Sequence, residues 1–133
     1  ESRGLGDVYK RQVKKVIGAG GHELPIEECL ERENEPCVAL ILGAVWGFDI
    51  WYQYAPVVVS YSGRLEKVTI GCPSPEKAAE LFGDNGLLNV YPILGAGWGG
   101  REAVGGSPRG EKRVFEDAEK TAVEIARLLK KDV

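Results

Sequence analysis

The sequence predicts an α/β fold, with α+β as the alternative: a small mixed β-sheet, helices packed on it, and a glycine-rich loop before a C-terminal helix. Three observations lead there. Short β-branched runs alternate with segments of helical periodicity along one chain. The run Cys37 to Val45 is an almost continuous series of Val, Leu and Ile, which suits a central strand covered on both faces. Phe115, Ala118, Ala122, Ile125, Ala126 and Leu129 recur at helical spacing opposite a face of Glu, Lys and Arg, the pattern of an amphipathic helix lying on a sheet.

The 133 residues, 44% of them apolar, suit one domain with a single ordinary core. The longest uninterrupted apolar stretch, Val38 to Phe48, is 11 residues, well short of the roughly 20 that a bilayer crossing needs. The N-terminus lacks the basic, apolar and small-residue order of an export signal, so the expectation is a cytoplasmic protein. Cys29, Cys37 and Cys72 include no C-x-x-C pair and predict reduced, mostly buried thiols. With His22 the single histidine, no metal site is expected in this chain. A net charge of -3 argues against wholesale wrapping of nucleic acid and leaves a local basic patch as the place to look.

Residues 1–12, ESRGLGDVYKRQ, have neither a helical nor a strand period and stop abruptly at the patterned VKKVIGAGG. The string resembles a translated sequencing-adapter remnant; the other reading is a disordered native N-terminus. Under the first reading, residues 13–133 are a single α/β domain from the C-terminal part of a longer protein. Val13 to Gly21 reads as a strand running into glycines. Pro25 to Glu33 places Ile26, Cys29 and Leu30 at i, i+3, i+4, a short amphipathic helix. Ile50 to Tyr61 is aromatic and β-branched around Pro56, which predicts an edge strand or two short strands. After a turn at Ser62-Gly63, Lys67 to Gly71 alternates Val68 and Ile70 against Lys67 and Thr69, the second arm of an antiparallel hairpin with one wet face. Ser74-Pro75-Glu76 starts a helix that stops at Gly83, with Ala78, Leu81 and Phe82 inward. Asn89 to Leu94 reads as one more short strand, and the C-terminal helix follows the glycines.

Between Gly95 and Gly110, seven of sixteen residues are glycine, in the order GAGWGGREAVGGSPRG. Glycine lets consecutive amides point the same way and lets backbone approach a ligand closely, so such a segment can form a nest for phosphate or carboxylate. Arg101 and Arg109 add planar forks for the same groups. From Gly95 to Arg113, four basic residues (Arg101, Arg109, Lys112, Arg113) face Glu102 and Glu111, a local surplus of two in an acidic chain. The competing explanation is close packing of a loop on the sheet, with solvated arginines. Trp98 fits a core cap better than a stacking platform. Gly95, Gly97 and Gly100 match G-x-G-x-x-G, but Gly105, Gly106 and Pro108 interrupt the helix that a dinucleotide fold requires next. His22 beside Glu23 has no nucleophile near it in sequence and reads as a surface or capping residue. Asp49, Asp84 and Asp117 are scattered, and no catalytic constellation is assembled.

The order VVVSYSGRLEKVTIG, SPEKAAELFG, then Gly99-Gly100-Arg101-Glu102-Ala103-Val104-Gly105-Gly106 and a closing helix resembles the C-terminal associated domain of the DHH phosphoesterases. That domain runs from a strand hairpin through a short helix to a G-G-G-H-x-x-A-A-G loop and a final helix. The resemblance covers about Cys37 to the C-terminus. Arg101 stands where most members have histidine, whereas the related domain of alanyl-tRNA synthetases has arginine after its glycines. The resemblance implies a substrate-binding domain for a phosphorylated nucleotide or a single-stranded nucleic-acid end. It implies contacts from Gly99, Gly100, Arg101, Gly105, Gly106, Ser107 and Arg109, and a partner DHH catalytic domain upstream that carries manganese and performs hydrolysis. No Asp-His-His occurs in this chain. Two other readings stand beside it: a nucleic-acid-binding module of the synthetase-associated type, and a structural protein that oligomerises through the aromatic stretch Trp46 to Tyr54.

Overall fold

The computed structural model of the chain describes residues 13–24, 37–43, 52 and 55–129. The expectations for residues 1–12, for a helix over Pro25 to Glu33 and, residue 52 aside, for the stretch Trp46 to Tyr54 lie outside the described residues. Seven strands form one sheet: β1 (Val13–Gly18), β2 (His22–Leu24), β3 (Cys37–Leu42), β4 (Val57–Ser62), β5 (Lys67–Gly71), β6 (Gly99–Gly100) and β7 (Val104–Gly106). Their order is β2-β1-β3-β4-β5-β7-β6. β3 and β4 are parallel and the other pairings antiparallel, so this is the mixed α/β fold that the alternation of patterns predicts.

Val38, Ala39, Leu40 and Ile41 of β3 are all fully buried, inward on both faces as a continuous apolar run requires. β4 starts after Pro56, where the missing N–H removes no ladder bond, and it lies inside the sheet between β3 and β5. The expectation of an edge strand there is thus corrected. The β4–β5 hairpin closes through a turn at 63–66 in which Glu66 takes φ 53 and Ser62 Oγ accepts from the Leu65 amide at 3.2 Å. The wet face expected for β5 is corrected too, because Thr69 is only 7% exposed.

The described helices lie on one face of the sheet. In α1 (Pro75–Phe82) the Ser74 hydroxyl accepts from the Lys77 amide at 3.1 Å, Pro75 takes a first-turn position, and Gly83 ends the helix at φ 93. The predicted strand over Asn89 to Leu94 is absent. A 3-10 turn (Gly86–Asn89) and a four-residue helix α2 (Tyr91–Leu94) occupy that stretch. Pro92 would break a ladder but suits a first helical turn, and Leu87, Val90 and Tyr91 at i, i+3, i+4 all turn into the core. The last helix, α3 (Phe115–Leu128), begins where the Asp117 carboxylate accepts from the Val114 amide at 2.9 Å. It packs Ala118, Ala122, Ile125 and Ala126 against Ile17, Val38, Leu40, Val57 and Val59. The Gly20 amide donates to the Ala126 carbonyl at 2.9 Å and ties the β1–β2 turn to that helix.

The expectation of reduced cysteines holds for Cys72, a buried free thiol, and not for Cys37, which is disulfide-bonded. Burial pushes the Cys72 thiol up to about 12, with a small opposing pull from Lys77. Among the described residues no helix is long and apolar enough to cross a membrane.

Candidate functional site

The glycine-rich segment is a hairpin on the edge of the sheet. β6 is the outermost strand, β7 joins it to β5, and residues 101–103 form the tip. Three consecutive carbonyls of that tip are tied inward. The Arg101 carbonyl accepts from the Tyr91 hydroxyl at 2.7 Å, the Glu102 carbonyl from the Leu87 amide at 2.9 Å, and the Ala103 carbonyl from the Cys72 amide at 2.8 Å. The Arg101 amide donates to the Val104 carbonyl at 2.7 Å. The three carbonyls are thus directed into the protein, and Arg101 and Glu102 leave the tip as exposed side chains of opposite charge.

Most of the glycines have a packing reason. A Cβ on Gly105 would strike the Tyr91 hydroxyl and the Gly99 carbonyl, one on Gly100 the backbone of Val104 and Gly105, and one on Gly106 the Val68 carbonyl. Gly97, at φ 89, lies against Pro108. Gly99 differs, because a Cβ there would meet nothing within 4 Å. Close packing therefore accounts for Gly97, Gly100, Gly105 and Gly106, and leaves Gly99 as a position where the backbone is open to an approaching group. Tyr91 was not singled out by its sequence context. The signal lay in its helical spacing from Leu87, which points it under the hairpin; burial and the neighbouring Cys72 raise its hydroxyl above the ordinary tyrosine range.

Ser107 is structural. Its amide donates to the Val68 carbonyl at 2.9 Å and its buried hydroxyl accepts from the Val68 amide at 3.0 Å, continuing the ladder one residue past β7. Arg101 and Arg109 are not brought together. Arg101 sits at the tip, whereas Arg109 follows the opposite end of β7, where Pro108 packs on Gly97. Val104 to Ser107 alone is three residue rises, roughly 10 Å. Both side chains are exposed, and among the described residues neither has an ion-pair partner. Lys112 and Arg113 are otherwise engaged: Lys112 reaches Glu66 at 3.6 Å, and Arg113 reaches Glu111 at 2.8 Å with its guanidinium 5.6 Å from the Trp98 ring centre. Of the local charges this leaves Arg101 and Arg109 against Glu102. Trp98 is half-buried and packs on the core, as a cap does.

His22 and Glu23 are exposed on the short strand β2, and no group of three His, Cys, Asp or Glu side chains able to hold a metal occurs among the described residues. No family model, no curated protein and no solved structure matches this chain.

Proposed function

We propose that this chain is the substrate-binding domain of a DHH-type phosphoesterase, holding the phosphate of a nucleotide or of a single-stranded nucleic-acid end at the β6–β7 hairpin. The observation that carries the proposal is Arg101: exposed, without an ion-pair partner among the described residues, and mounted on a tip whose three carbonyls are already bonded inward. An unpaired guanidinium close to the open backbone of Gly99 offers an oxyanion a bidentate, charge-assisted contact. The order of elements lends further support, since the β4–β5 hairpin, α1, the glycine segment and α3 follow one another as in the DHH-associated domain. Gly99, Gly100 and Arg101 are the direct contacts in this reading. Gly105, Gly106 and Ser107 shape the hairpin, and Arg109 attracts the more distant parts of a longer ligand.

Hydrolysis belongs to a partner DHH domain with manganese, and the chain by itself binds without turning over. The same reading places the protein in the cytoplasm, against which the Cys37 disulfide counts. Titration with nucleoside monophosphates and short 5′-phosphorylated oligonucleotides, following the amides of Gly99 and Arg101, tests the binding. Arg101→Ala should weaken it about tenfold or more, the worth of one charge-assisted contact, and unchanged binding in that variant overturns the proposal. The arginine after the glycines favours a second reading, a nucleic-acid module of the alanyl-tRNA-synthetase-associated type. Sequence upstream of Val13 in the gene separates the two: an Asp-His-His cluster supports the first, a synthetase or editing domain the second.

A further inference from the structure

In an antiparallel ladder bonded and non-bonded pairs alternate, so the parity of pairing shows which backbone groups a strand turns outward. The Arg101 amide donates to the Val104 carbonyl at 2.7 Å, which makes Arg101 and Val104 a bonded pair. On the other side of β7 the Ser107 amide donates to the Val68 carbonyl at 2.9 Å, so Ser107, and Gly105 two residues before it, turn their backbone to β5. Gly100 and Gly105 are therefore a non-bonded pair with Cα facing Cα, and a Cβ on Gly100 would accordingly strike the Gly105 Cα. The N–H and C=O of Gly100 point away from β7, outward from the last strand of the sheet. Among the described residues no other backbone group bonds to them.

An open edge invites another strand, and proteins guard against this with charged side chains, proline or a covering segment. The opposite edge of the sheet, β2, carries exposed His22 and Glu23. β6 carries no side chain at all, and both Gly99 and Gly100 are exposed. Glycine at position 99 meets no need of the fold itself, since a Cβ there would touch nothing within 4 Å and φ is not positive. Unpaired cations bound the edge: Arg101 follows it directly, and Arg109 lies at its other end, where Pro108 packs on Gly97. Glu102 opposes them from the tip, which leaves the edge basic in an acidic chain. The 3-10 turn (Gly86–Asn89) lies against β6 and includes Leu88, which is 43% exposed.

We infer that the β6 edge binds an extended acidic peptide of another protein, which adds to the sheet as one more strand. The Gly100 N–H and C=O supply a pair of main-chain hydrogen bonds, the source of affinity in strand addition. Bare Gly99 leaves room for a large partner side chain across the ladder. Gly97 to Arg101 is four strand rises, roughly 13 Å, so Arg109 and Arg101 suit carboxylates spaced about four residues apart in an extended chain. Charge selects this occupant over a second copy. Two β6 edges joined antiparallel would gather both copies' Arg101 and Arg109 against two Glu102 along one strand pair, and like charges across a ladder are destabilising. The inference goes beyond the phosphate reading. It shares Gly100 and Arg101 with that reading but uses the outward C=O of Gly100 as well as the N–H, whereas an oxyanion takes only the donor.

The end-capped peptide Glu-Val-Glu-Val-Glu, added to the whole chain and followed by NMR titration and amide hydrogen exchange, tests it. Bound peptide should slow exchange of the Gly100 amide about tenfold or more, while the Gly99 amide, already directed at β7, changes little. Peptides N-methylated on alternate amides separate strand pairing from adhesion: methylation of one set should abolish binding and methylation of the other should leave it. Arg101→Ala should weaken binding about two- to fivefold, the worth of one exposed ion pair, and the lysine counterpart Lys-Val-Lys-Val-Lys should leave Gly100 unprotected. No protection of Gly100 at millimolar acidic peptide, an equal response to the two methylated sets, or equal binding of the lysine peptide overturns the inference. Protection of Gly100 that rises with protein concentration alone, together with a dimer in sedimentation, overturns it too and gives the edge to a second copy.

Discussion

Removing the Tyr91 hydroxyl takes from the Arg101 carbonyl its 2.7 Å donor while leaving the ring in place beneath the hairpin. Tyr91→Phe should therefore cost about 1 kcal/mol in urea unfolding, the usual net worth of one such bond. Gly105→Ala should cost more, about 2 kcal/mol or above, because the new methyl is driven into the Tyr91 hydroxyl and the hairpin has to part from α2. Cys72 gives a pH dependence of definite sign. Its folded-state value, pushed up to about 12 by burial, lies above the ordinary 9, so the folded protein holds a proton that the unfolded chain releases. Its contribution to stability is complete below pH 9 and is lost as the pH rises from 9 toward 12. Cys72→Ala should flatten that limb of a stability-versus-pH curve. At this scale sequence names Arg101 by its chemistry, while the packing of Ser107 and Gly105 is set by Val68 and Tyr91, residues 39 and 14 positions away along the chain.

Helix ends were the most legible elements. Ser74, Pro75 and Gly83 bound α1 because each acts on backbone within four residues of itself, and Ser74→Ala should cost about 1 kcal/mol by leaving the Lys77 amide without its cap. The stretch after α1 was misread for an equally local reason. Asn89 to Leu94 holds too few residues to display a period by itself, whereas Leu87, Val90 and Tyr91 together make the helical spacing plain, with Pro92 at the tolerated position. The glycine segment is the intermediate case. Its composition announced tight backbone approach, but a nest, a loop and a hairpin all satisfy that composition, and only pairing with β5 selects the hairpin.

At the scale of the molecule, and among the described residues, the centre of the sheet is packed on both faces: Val38, Leu40, Val57 and Val59 lie under the described helices, and Ala39, Ile41, Val58 and Ser60 on the other face are just as fully buried. Ile125→Ala, in the middle of α3 and fully buried against the sheet, should cost about 2–5 kcal/mol in thermal or urea unfolding, enough to endanger a domain of ordinary stability. Thiol titration of the denatured but unreduced chain should find fewer than the three cysteines of the sequence, since Cys37 is disulfide-bonded. What the sequence determined by itself is the class of fold, the central strand β3, the β4–β5 hairpin, the ends of α1, and the buried stripes of α1 and α3. Those follow from hydrophobic period and from capping chemistry, which act over a few residues. The tertiary structure decided the placing of β4 within the sheet rather than at its edge, the burial of Thr69, the separation of Arg101 from Arg109 and the fastening of the hairpin tip to Tyr91, Leu87 and Cys72. Each of these depends on which strand lies beside which, and long-range pairing is chosen by the summed burial of the whole sheet, a quantity that no short stretch of sequence carries.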